Sequence, residues 1–189
     1  MLSRPTLALI AVFVVLAGGV YFTELRNKPS NAALTATPGT KVFGSLQLVD
    51  LKTLTLSQSG TTITLDRQSN GAWTLTQPPS SYTDTSRVSS TVSELLAATK
   101  QRDLPLANVD THQYGLDSPW LTATLDETKG QEQLLIGAQN VDGSTRYATI
   151  KGASSAFLLS IGTADALASL IKQPPVATPT APASPIPTL

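Results

Sequence analysis

Residues 53–65 read TLTLSQSGTTITL, and this stretch decides the fold. Leu54 and Leu56 alternate with Thr53 and Thr55, and Ile63 and Leu65 alternate with Thr62 and Thr64. A period of two puts every second side chain on one face, so the stretch predicts two half-buried strands. Gln58-Ser59-Gly60 supplies the turn between them. Further along, Asn70-Gly71 is a turn signal and Ala72-Trp73-Thr74-Leu75 a third strand, ending at Pro78-Pro79. Trp73 alternates with Leu75, which marks it as a core residue.

A helix comes next. Asp84 is its expected cap, and Val88, Val92, Leu95, Leu96 and Thr99 form one stripe at helical spacing. Lys100 and Arg102 stand at the expected C-terminal end, where cations complement the helix dipole. The second half repeats this order. Leu121, Ala123 and Leu125 alternate with Thr122 and Thr124, and a turn near Lys129-Gly130 leads into Gln133–Gly137. Asp142-Gly143 turns the chain into Arg146–Ile150, and Ala156–Leu159 adds a short buried strand. A last helix, with Thr163 as its expected cap, carries Leu167, Leu170 and Ile171 and stops before Pro174. The predicted class is α+β, an antiparallel sheet built from two hairpin-strand-helix units behind one N-terminal transmembrane helix.

That transmembrane helix is read from Leu7–Phe22, LALIAVFVVLAGGVYF, which carries no charge. With Thr6 and Thr23 it would span about 27 Å as a helix, short but adequate for a hydrocarbon core about 30 Å thick. Ala17-Gly18-Gly19 offers a signal-peptidase site after Gly19, but the apolar run continues through Val20, Tyr21 and Phe22, beyond a usual signal core. The expected organisation is a cytoplasmic stub at 1–6, an anchor at 7–23 and a flexible stalk at 24–41. An α+β domain at 42–172 and a disordered Pro/Ala/Thr-rich tail at 173–189 complete it. Basic residues flank the anchor on both sides, so the positive-inside count is nearly a tie. The Ser/Thr-rich, Cys-free chain behind it favours a single-pass cell-membrane protein with the C-terminal domain extracytoplasmic.

Thirteen Lys and Arg balance thirteen Asp and Glu over 189 residues. Three basic residues and one acidic residue precede Lys41, which leaves the remainder at −2 (10 − 12). Such a balance argues against nucleic acid, whose binders carry a basic footprint. The absence of cysteine excludes disulfides, thiolate metal sites and a catalytic thiol. No cofactor is expected.

The order of Ile63–Arg67, Gly71–Leu75, Pro78 and Leu95-Leu96 resembles a bacterial domain-of-unknown-function family, four-three-four-zero (DUF4340). More specific marks are Tyr114-Gly115-Leu116-Asp117-Ser118-Pro119, Leu135-Ile136-Gly137 and Arg146-Tyr147-Ala148. The likeness runs from about Leu51 to Lys172. It implies an extracytoplasmic domain behind a membrane helix, with relatives sometimes near gliding-motility-type ABC transporter components. It assigns no catalytic or binding residue.

The remaining candidate groups are sparse. Tyr114, Trp120 and Tyr147 are the aromatics that a ligand surface would use. Tyr114–Pro119 also has a structural reading, in which Gly115 takes positive φ, Leu116 plugs the core and Pro119 starts a strand. His112 between Asp110 and Asp117 is a poor metal set, because structural zinc takes four protein ligands. Ser169 and Lys172 share the Ser-x-x-Lys spacing of penicillin-interacting enzymes but lack its companion motifs. Gly39–Gly44 has P-loop spacing with Ser45 where the motif needs Lys. Asp126-Glu127 is a close acidic pair beside a turn. The expectation is a non-enzymatic scaffold or accessory domain of a membrane-protein complex, in contact with the lipid bilayer through its helix. The alternative is a cell-wall glycan or peptide binding module.

Overall fold

A computed structural model describes residues 39–44, 46–80, 82–108 and 110–177. The stub and anchor, most of the stalk, and the tail beyond Ala177 lie outside the described residues. No helix among the described residues is long and apolar enough to cross a membrane.

The alternating stretch folds as the sequence predicts, into β1 (Leu51–Gln58) and β2 (Thr61–Arg67), followed by β3 (Trp73–Gln77). Helix α1 (Thr85–Ala97) follows, then β4 (Asp103–Pro105), β5 (Leu121–Glu127), β6 (Gln131–Gln139), β7 (Thr145–Ile150), β8 (Ser155–Ser160) and α2 (Ile161–Lys172). All eight strands join one antiparallel sheet in the order β3-β2-β1-β5-β6-β7-β8-β4. Among the described residues the class is α+β, with two α-helices.

Alternation then sets the two faces of the sheet. Leu54, Leu56, Ile63, Leu65, Leu121, Leu125, Leu134 and Ile136 are fully buried, and they share one core with the helix stripes. In α1 that stripe is Val88, Val92, Leu95 and Leu96; in α2 it includes Ala164, Leu167, Leu170 and Ile171. Each fully buried Leu or Ile contributes about 1.5–3 kcal/mol relative to exposure, so the aliphatic core carries the stability. Trp73, 2% exposed, belongs to this core. The opposite face of β1, β2 and β5 is lined by Thr53, Thr55, Thr62, Thr64, Thr122 and Thr124, all half-buried.

Two helix ends differ from expectation. Asp84 caps α1, accepting the Arg87 N–H at 3.0 Å. The helix stops at Ala97, however, so Lys100 and Arg102 lie beyond its last turn. Lys100 instead pairs with Asp103 at 3.8 Å and sits 5.2 Å from the Phe157 ring centroid. Helix α2 begins directly after β8 with Ser160 at the cap position, leaving Thr163 buried inside the first turn. A strand running straight into a helix leaves no separate capping loop, which is why Thr163 is displaced inward.

The two sheet edges differ: β3 is capped by side chains and β4 is very short. Along β3, the Trp73 and Leu75 N–H groups donate to Thr85 Oγ1 and Thr83 Oγ1 at 3.1 and 2.8 Å. Side-chain hydroxyls thus take the place of a neighbouring strand. At the other edge β4 is three residues long and ends on a proline, a short, poorly pairing edge. The start of the tail is tied down beside the β3 edge, at the residues that lead into α1. Pro175 is buried and accepts the Asp84 N–H at 2.8 Å, and Val176 bridges Thr83.

Candidate functional site

The segment preceding β5 is organised by Asp110. Its carboxylate accepts the His112 and Gln113 N–H groups at 3.1 and 3.3 Å, and Gly115 N–H donates to His112 O at 3.0 Å. The chain then turns at Gly115 (φ +66°), a conformation that side chains disfavour. Leu116 becomes 5% exposed. It is buried, although it does not belong to the contiguous cluster shared by the sheet and the helices. The structural reading of this segment therefore holds: Gly115 takes positive φ and Leu116 is buried.

The loop docks on β6 at Gly137. Ala138 N–H donates to Tyr114 O at 2.8 Å. A Cβ at Gly137 would run into Tyr114 O and stand 3.0 Å from both C and O of Gly115. Only a residue without a side chain allows the two backbones to approach so closely. The β6–β7 register also shifts between Ile136 and Gln139, a bulge that marks the docking point.

From β7 two consecutive side chains complete the cluster. The Tyr147 and Tyr114 ring centroids are 4.0 Å apart with the planes tilted by 55°, and Tyr147 Oη donates to Asn140 Oδ1 at 3.3 Å. Burial, reinforced by Tyr114, pushes the Tyr147 phenol above its ordinary pKa. The Arg146 guanidinium lies 3.7 Å from the Trp120 ring centroid and donates from Nη1 to Gly137 O at 3.1 Å. Burial lowers the Arg146 pKa, and Asp165 partly offsets that. A stacked guanidinium of this kind is worth about 0.5–2 kcal/mol.

The more specific marks of the resemblance, from Tyr114–Pro119, Gly137 and Arg146-Tyr147, thus meet around the β6–β7 pair. They do not line one surface. Arg146 and Tyr147 are neighbours in a regular strand, so their side chains leave opposite faces of the sheet. Tyr114 stacks against one and Trp120 against the other. Arg146 and Gly137 were not singled out as functional from the sequence. Each stands in one of the marks of the resemblance, Gly137 in Leu135-Ile136-Gly137 and Arg146 in Arg146-Tyr147-Ala148, but a lone arginine on a strand has no pattern that assigns its partner.

The other candidates fall apart by position. Asp110 is engaged by its own turn, and His112 and Asp117 are exposed. Among the described residues no group of three or more His, Cys, Asp or Glu side chains is placed to hold a metal. Ser169 Oγ donates to Ala166 O at 2.7 Å, within its own helix. Asp126 and Glu127 are consecutive in β5 and so diverge, Asp126 accepting from the Gln131 amide. Burial, with Glu132 and Asp50 nearby, raises the Glu127 pKa. Shallow grooves lie elsewhere. One of about 270 Å³ runs between the end of α1 and the start of α2, past Glu94, Thr99, Gln101, Ser160 and Thr163. Another, of about 180 Å³, is walled by Leu46, Leu48 and Leu96 with Lys41 at its rim.

The family described as Domain of unknown function (DUF4340) matches residues 73–173. No curated protein and no solved structure matches the chain.

Proposed function

The chain belongs to the DUF4340 family, and from that premise we propose a non-enzymatic, membrane-anchored extracytoplasmic scaffold or accessory domain. Its partner is a membrane-protein complex of the ABC-transporter-associated kind that the resemblance implies. One observation carries this reading: the motif residues are consumed in contacts with one another. Tyr114, Gly115 and Gly137 lock the loop to β6, and Trp120 is covered by Arg146. Residues spent on holding a rigid surface suit a docking module. A stacking platform for glycan would leave its aromatic faces open. The charge-free Leu7–Phe22 supports the anchor, and the bilayer is its first partner. The test is purification of the full-length chain from cross-linked membranes in mild detergent. A stoichiometric membrane protein should come with it; recovery of the chain alone in several detergents would refute the proposal.

We further infer that the sheet is a duplication of one hairpin-strand-helix unit. The central strands β1 and β5 pair antiparallel, with Thr55 opposite Thr124. Moving β1–β2 along the chain by 69 positions (124 − 55) lays one hairpin on the other. Gln58 faces Thr61 around Ser59-Gly60, and Glu127 N–H bonds Gly130 O around Thr128-Lys129. The same shift aligns Thr53-Leu54-Thr55-Leu56 with Thr122-Ala123-Thr124-Leu125, three of four residues identical. The relation is an approximate two-fold axis through the Thr55–Thr124 pair. Strands β4 and β8 are additions to the second unit.

A further inference from the structure

We draw no further inference here: the strongest candidate, the hydroxyl-lined sheet face where Thr53, Thr55, Thr62, Thr64, Thr122 and Thr124 stand in rows, carries nothing because nothing in the structure shows what covers it.

Discussion

Gly137 is the residue on which the motif cluster closes, and its substitution separates packing from generic glycine effects. Ala at this position forces the Tyr114–Gly115 backbone off β6, an overpacking that costs about 1–3 kcal/mol. Gly130→Ala is the control, since nothing lies within 4 Å of a Cβ there. Thermal melts should show a clear fall in Tm for Gly137→Ala and little change for Gly130→Ala. Glu127 offers a pH test at the same scale. Burial, with Glu132 and Asp50 nearby, raises its folded pKa above the ordinary value of 4.5, so the fold prefers the protonated form. The resulting stabilisation is complete below the unfolded pKa and is lost as pH rises through the folded one. Glu127→Gln removes that loss. It should melt higher than the parent at pH 7, with the gap closing below pH 4.5; an equal gap at both pH values would contradict the assignment. The two tryptophans give a third readout. Trp73 in the core should resist acrylamide quenching, while half-buried Trp120 should quench partially and more strongly once Arg146→Ala uncovers its ring.

Among the elements, β1 and β2 show why the family match and the folding unit differ. The matched residues begin at Trp73, yet β1 lies between β2 and β5 near the middle of the sheet. Without the first hairpin, β3 has no neighbour strand, and Leu121, Ala123 and Leu125 lie on an unpaired edge. A chain starting at Trp73 should show no cooperative unfolding transition in denaturant, whereas one starting at Gly39 should. Helix α1 gives a milder test. Asp84→Ala removes the cap and should cost about 1 kcal/mol, read as a shift of the denaturation midpoint. Legibility followed periodicity at this scale. The strands of the first unit and the buried stripe of α1 were readable because Leu, Ile and Val recur at the spacing of each element. Strand β4 was not, because three residues ending in Pro105 carry no period, and their pairing with β8 is set by the sheet. The closure of the β3 edge by the Thr83 and Thr85 hydroxyls was equally hidden, since threonine there looks like any loop residue. The candidate site was half legible. Tyr114, Trp120 and Tyr147 do gather around β6–β7, and alternation along β7 divides them between its faces, but the pairing of Tyr114 with Tyr147 and of Trp120 with Arg146 is a tertiary contact that spacing does not reveal.

For the molecule as a whole, the arithmetic of charge and hydropathy divides between parts. The uncharged run at 7–22 raises the apolar fraction above that of the rest of the chain, and the part from Lys41 onward is faintly acidic. A Thr-faced sheet over an aliphatic core is a stable platform whose surface is polar and faintly acidic. In the proposed role at a membrane, a tether would raise its local concentration, so that weak contacts would suffice. The claim on which this account rests is that residues 7–23 hold the domain outside the cell membrane without being cut. Protease added to intact cells, with the mature N-terminus measured by mass, tests it directly. The account predicts a membrane-bound chain that keeps residues 7–23 and whose stalk is cleaved in intact cells. Protection until lysis, or a released chain beginning at Val20, would contradict it.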